Sequence, residues 1–284
     1  MKSTRCSHRR VAVRAITSGL VILGLSAFAQ QSHAGLFTLV DDNSSAAFNT
    51  SSSANTNSWL VDGVDHLNQQ AFWYRVGNVA EASLHALPIA LEGTTDTDFD
   101  GNHENLFVRY GGAGFIAEVR YALDGGSPGS GAADMGEQIT ITSTSGVPLD
   151  FHFFQYVDFD ISATPLDDSA RFPDPHAVLQ YDGSLVVTET ADAPQPHRRE
   201  IDFYNGILAK LTDGVASNLS DTPPIGAVFG PGDVTWAFQW DFTLLPNSVY
   251  QISKDKIISV IPEPAASFLL SFGAGLLLSI RRKR

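Results

Sequence analysis

Eleven consecutive residues, Val234 to Leu244, alternate without a break between two faces. Val234, Trp236, Phe238, Trp240, Phe242 and Leu244 fall on one side, and Thr235, Ala237, Gln239, Asp241 and Thr243 on the other. A period of two is the signature of a β-strand, whose successive side chains point to opposite faces of a sheet. So regular a run of aromatics fits a pleated surface with one face buried in a core.

The same rhythm recurs along the chain. Phe115, Ala117, Val119, Tyr121 and Leu123 alternate with Ile116, Glu118 and Arg120. Gln138–Thr142 leads through Thr144, Ser145 and Gly146 into Leu149–Ile161, which reads as a hairpin. Asp182-Gly183, between Ala177–Tyr181 and Leu185–Thr190, carries a strong two-residue hairpin signal. Pro246, Asn247 and Ser248 are expected to turn the aromatic strand back into Val249–Ser253, and Asn205–Leu211 is the one short helix of note. Many strands without a βαβ rhythm predict an all-β fold: an antiparallel β-sandwich in a single domain. The turn pattern loosely resembles bacterial immunoglobulin-like or larger sugar-enzyme-like sandwiches. That likeness carries no function.

The two ends differ from this body. Lys2, Arg5, Arg9, Arg10 and Arg14 precede a largely apolar stretch from Ala15 to Ala29, with no acidic residue before Asp41. Small residues at Ser32 and Ala34 flank His33 ahead of Gly35, so residues 1–34 read as a secretory signal cleaved after Ala34. At the other end, Pro262-Glu263-Pro264 is followed by a largely apolar run of sixteen residues, 265–280, and by Arg281, Arg282, Lys283 and Arg284. As a helix that run spans roughly 24 Å, slightly short of the ~30 Å hydrocarbon core. A C-terminal hydrophobic transmembrane helix is expected, with its basic end in the cytoplasm and the body outside.

These C-terminal residues also carry a family resemblance. A Pro-Glu-Pro tripeptide, a short Gly-containing apolar helix and an Arg-rich terminus resemble the PEP-CTERM sorting signal, over residues 262–284. The resemblance implies recognition and cleavage by an exosortase in bacteria that make extracellular polysaccharide. A single-span tail anchor is the alternative reading.

Between the ends lie residues 35–261. The chain holds 18 basic and 31 acidic residues; the ends take nine basic and one acidic, leaving 9 against 30 and a net charge of −21. Such a surface repels nucleic acid and anionic lipid. The single cysteine, Cys6, lies in the signal, so the body has no disulfide.

Four groups of residues are candidates for chemistry. Asp96, Asp98 and Asp100, followed by Gly101 and with Glu104 at the ninth position, match the opening of a calcium loop. Phe107 stands where such a loop needs a bidentate Glu, so a solvated acidic turn is the competing account. His152, Phe154, Tyr156, Asp158 and Asp160 share one face of a strand. Two carboxylates and an imidazole there suit sugar binding or, through Asp158, Asp160 and His152, acid–base catalysis; an ordinary outer sheet face is commoner. The mature histidines form no recognised zinc pattern. Trp59 and Phe72-Trp73-Tyr74 suit a sugar-stacking platform, or more ordinarily the core.

Two functions remain. The first is a non-catalytic structural or binding sandwich, exported to the cell surface or polysaccharide matrix, with exosortase and secretory machinery as partners and transient membrane contact. The second is a secreted carbohydrate-active enzyme, a glycosidase or lyase. Mass spectrometry of the extracellular form should find a chain beginning at Gly35 and no peptide from 265–280. A form that retains Arg284 supports tail anchoring instead.

Overall fold

The computed structural model describes residues 35–261. In chain order its strands begin with β1 (Leu36–Asp41), β2 (Ser44–Asn49), β3 (Thr56–Val61), β4 (Val64–Asp65), β5 (Leu67–Val76) and β6 (Ala82–Ser83). They continue with β7 (Ile89–Thr95), β8 (Asn105–Gly112), β9 (Phe115–Gly125), β10 (Ala133–Ser143), β11 (Leu149–Phe159) and β12 (Asp168–Asp174). After β13 (Ala177–Asp182), β14 (Leu185–Ala193) and β15 (Arg198–Phe203) comes the helix α1 (Gly206–Thr212). Three strands follow, β16 (Phe229–Gly232), β17 (Val234–Leu244) and β18 (Val249–Val260).

These strands make two antiparallel sheets of nine. The first runs β1-β2-β3-β5-β11-β17-β15, with β4 against β3 and β6 against β5. The second runs β16-β12-β13-β14-β18-β10-β9-β8-β7. Their facing sides supply one continuous core. Trp236, Phe238 and Trp240 on β17 are fully buried there, as are Phe151 and Phe153 on β11 and Ile139 and Ile141 on β10. Trp59 and Phe72 join this core, while Trp73 packs in a second cluster on the outward side of the first sheet.

The expected architecture needs correction in several respects. Nine strands per sheet exceed the immunoglobulin-like form, which holds about seven to nine in total. The expected C-terminal hydrophobic helix is not among the described elements, the last of which is β18. Residues 262–284, including the expected transmembrane segment 265–280, lie outside the described residues. Among the described residues no helix is long and apolar enough to cross a membrane. The turns after β10 and β17 are not hairpins either. Each is a corner that carries the chain from one sheet to the other, and Ser143 N–H donates to Ser248 O (2.9 Å) where the two corners meet. The Asp182-Gly183 turn does close a hairpin, with Gly183 at φ +54° and Asp182 opposite Leu185.

At the centre of the sandwich the alternation of β18 turns two lysines inward. Lys254 stands opposite Glu137 on β10, and Lys256 opposite Glu189 on β14. All four side chains are sealed from solvent. Lys254 Nζ lies 2.6 Å from Glu137 and 3.3 Å from Glu189; Lys256 Nζ lies 3.2 Å from Glu189 and also contacts Glu137. From the facing sheet, Gln70 donates to Glu137 (2.7 Å) and Gln155 to Glu189 (2.9 Å). Burial works against the charge of Glu137, yet the two lysines hold its carboxyl down at about 2. Removing one partner from such a buried set leaves an uncompensated charge. Lys254→Met should therefore lower unfolding stability by about 3–5 kcal/mol, read from urea melts. A loss under about 1 kcal/mol would mean the quartet is not closed to water.

Candidate functional site

The outward faces of the two sheets differ. That of the first is covered: Ile207 and Leu211 of α1, with Leu219 beyond it, pack on Trp73, Phe154, Tyr156 and Ala237. That of the second is open and carries a cleft of about 770 Å3 across β7, β8, β9, β10 and β18. Its size falls in the range of small-molecule sites.

Alternation decides what lines this cleft. With Tyr121, Val119 and Ile139 turned into the core, Glu118 and Arg120 of β9 and Gln138 of β10 turn out. The adjoining strand β8 presents Phe107 and Arg109 in register with them. Glu118 accepts from Arg109 Nε (3.0 Å) and Nη2 (2.6 Å) through one oxygen, and from Arg120 Nε (2.7 Å) through the other. Burial opposes the charge on Glu118, but the two guanidiniums hold its carboxyl below the usual range. Arg120 also lies over the Phe107 ring, 5.8 Å from its centroid. Both arginines are about half exposed (43% and 56%), so their remaining donors face the cleft. A fixed fork of donors beside an aromatic ring offers directional hydrogen bonds and a stacking surface to a flat polar ligand.

One pleat beyond Gly136 on the same face stands Asp134, in register with Asp124 on β9 and adjacent to Asp255 on β18. Burial, a hydrogen bond shared with Asp255, and the charges of Asp255 and Asp124 push the Asp134 carboxyl up to about 7. At neutral pH this group is divided between acid and base, the condition a proton-transfer residue needs.

The residues marked out by sequence fall elsewhere. Asp158 and Asp160 meet at one end of the first sheet, where Asp233 joins them; one carboxylate oxygen from each lies within 4.8 Å of the others. Burial pushes Asp158 up to about 7, against a hydrogen bond from Asn68 and with help from Asp160 and Asp233. His152 is not with them. It lies six residues away along β11, roughly 20 Å, with Nδ1 2.6 Å from Asp241. Asp158, Asp160 and His152 therefore do not form one catalytic group.

In the acidic loop, Asp96, Asp98 and Glu104 converge, whereas Asp100 turns away to accept from Asn102 N (2.7 Å) and Nδ2 (2.8 Å). Asp96 accepts from the N–H groups of Phe99 (2.6 Å) and Gly101 (3.0 Å), and Glu104 from Thr97 N (2.5 Å) and Asn105 Nδ2 (2.9 Å). These are the bonds of a self-capped turn. The loop also walls a smaller recess of about 330 Å3 that shares Thr97, Asn105 and Ala122 with the main cleft. Ala34, Pro262, Glu263, Pro264, Arg281, Arg282, Lys283 and Arg284 lie outside the described residues.

Sequence reasoning passed over Phe107, Arg109, Glu118, Arg120, Asp134 and Asp255. Glu118 and Arg120 were visible as the polar side of an alternating strand. Their joining to Arg109, and of Asp134 to Asp255, depends on strand register.

Neither a protein-family model nor a curated protein sequence matches the chain. Solved structures do. A bacterial glucoamylase complexed with acarbose superposes with a TM-score of 0.57 at 10% identity, over 84% of this chain and 34% of that one. The chain thus spans about a third of the glucoamylase's length. A putative aldose 1-epimerase from Escherichia coli K12 matches at 8% identity and TM-score 0.49, over 80% of this chain and 99% of that one. A putative kojibiose phosphorylase from the human microbiome matches at 8% identity and TM-score 0.47, over 87% and 33%. These neighbours are carbohydrate-active enzymes and mutarotase-like sandwiches. At such identities the glucoamylase likeness defines the class of fold, a large two-sheet sandwich.

The raised carboxyl of Asp134 has a measurable consequence. Its folded pKa lies above the ordinary carboxylate value, so the folded state holds its proton between the two and stability falls as pH rises through about 7. Asp134→Asn should melt higher than wild type at pH 8, with that advantage gone at pH 4. Equal offsets at both pH values would show that the carboxyl titrates normally.

Proposed function

We propose that this is an exported carbohydrate-active protein that engages a glycan in the open cleft of the second sheet. The observation that carries the reading is the Arg109–Glu118–Arg120 fork beside Phe107, on a face left uncovered while the opposite face of the sandwich is packed under α1. Vicinal sugar hydroxyls suit a guanidinium–carboxylate row, and a pyranose ring suits an aromatic face. The glucoamylase with this fold was captured with acarbose, a likeness that supports a sugar ligand here. The signal ending at Ala34 and the sorting-tail resemblance at Pro262-Glu263-Pro264 support action outside the cytoplasm, in the polysaccharide matrix, after exosortase processing.

A catalytic reading rests on a separate observation. Asp134 and Asp255 share a hydrogen bond on the same face, and Asp134 titrates near neutrality. A carboxyl that titrates near neutrality, hydrogen-bonded to a second carboxyl, suits the moving of protons at a glycosidic or anomeric centre.

A glycan array followed by calorimetry tests both. Arg120→Ala should weaken the best glycan about ten- to hundredfold, since it removes donors worth about 1.5–3 kcal/mol for a charged group. Asp134→Asn should abolish any release of reducing sugar while leaving binding in place. Wild-type protein that binds no glycan would reject the cleft as a sugar site.

A further inference from the structure

We infer that Asp158, Asp160 and Asp233 form a binding site for a divalent cation of calcium's kind, separate from both the cleft and the acidic loop. Strand pairing builds the site. Asp158 is the penultimate residue of β11 and stands opposite Thr235 on β17. Continuing that antiparallel register one pleat outward places Asp160, just past β11, beside Asp233, just before β17. One oxygen of each carboxylate then lies within 4.8 Å of the other two. Two oxygens on opposite sides of a calcium ion, each at ~2.4 Å, stand ~4.8 Å apart. The donors are all hard oxygens, as calcium and its relatives require.

A cluster of acids alone proves little; the orphaned atoms around this one say more. Asp158 is fully buried. Its Oδ2 accepts from Asn68 Nδ2 (2.9 Å), but its Oδ1 has no hydrogen-bond partner. Tyr156, two residues back on the same face, is also fully buried, and its hydroxyl lies beside Asp158 without making a hydrogen bond of normal geometry. Buried oxygens are almost always satisfied, and an ionised one without a donor is among the costliest groups a fold can hold. A cation seated between the three carboxylates answers that cost at Asp158. Asp160 and Asp233 are only half-buried and give the ion its entrance.

Two other acidic groups offer a comparison. In the loop, Asp96, Asp98 and Glu104 each already accept backbone N–H groups. The third group, Asp167, Asp168 and Asp182, shares the feature of one orphaned oxygen on a buried Asp168. It has no second orphan beside it like the Tyr156 hydroxyl, and Gln180 and the Ile161 N–H already engage Asp168 Oδ2.

The test is calcium itself. Chelator-stripped protein titrated with calcium chloride should show one site in the ~10⁻⁴–10⁻³ M range of extracellular modules, and a higher melting temperature at 10 mM calcium. Asp233→Asn, at a half-buried position, should fold normally and lose both the heat and the shift. Asp98→Asn and Asp182→Asn should keep both. Absence of heat and shift in wild type overturns the inference, and so does their loss in Asp98→Asn or Asp182→Asn with Asp233→Asn unaffected.

Discussion

The buried quartet of Glu137, Glu189, Lys254 and Lys256 is the constraint around which the sandwich is organised. Each lysine stands directly opposite a glutamate of a neighbouring strand, so the set fixes the register of β10, β18 and β14 together. A slip of one residue would turn every one of these charges to the other face and bring apolar neighbours out with them. Gln70 and Gln155 reach the same carboxylates from the facing sheet, so the quartet also sets how the two sheets lie over each other. Hydrophobic contact is tolerant of small shifts; a closed set of buried charges is not. Its contribution is to specificity of alignment more than to net stability, since desolvation offsets much of the Coulomb attraction.

With the alignment set, the two outer faces take different roles. The first sheet is closed over by α1 and the segment beyond it, anchored where the Arg75 guanidinium donates to Ser217 O and to Asn218 Oδ1 (2.6 Å) and pairs with Glu81 (2.5 Å). This makes a third layer over the middle of that sheet, on β5, β11 and β17. The second sheet keeps its outer face bare over nine strands. Polar side chains there need no compensation from packing and are free to be selected for what they bind.

Much of this was legible in sequence, and the failures have physical reasons. The stretch from Val234 to Leu244 forms a strand as its alternation predicts, although Thr235, Ala237 and Gln239 on its other face are buried too, and Trp59 and Phe72 occupy the core, the ordinary fate of such residues. The turn at Pro246–Ser248 was misread because turn residues specify a reversal, not which sheet the next strand enters. Lys254-Asp255-Lys256 broke the apparent end of a strand at Ser253, although β18 runs on to Val260; only partners distant in sequence make those lysines core residues. Phe154 and Tyr156 lie on the nominally polar face of β11, yet α1 buries them, a layer that strand periodicity cannot reveal. Asp158 and Asp160 were singled out, but Asp233, their third member, gave no local signal because its proximity arises from pairing across seventy residues of chain.

The topology also imposes an order of events. The last strand, β18, lies in the middle of the second sheet, between β14 and β10, and the strand before it, β17, lies inside the first. Until both have arrived, the second sheet is two separate halves, and Glu137 and Glu189 face each other with no cation between them. A nascent chain that stops before Val249 thus meets electrostatic repulsion at the point where its core must close. Folding is held back until β18 has been made, since long-range pairing supplies most of the contacts. A chain that stays open this long is one that can be threaded through a narrow channel before it becomes rigid.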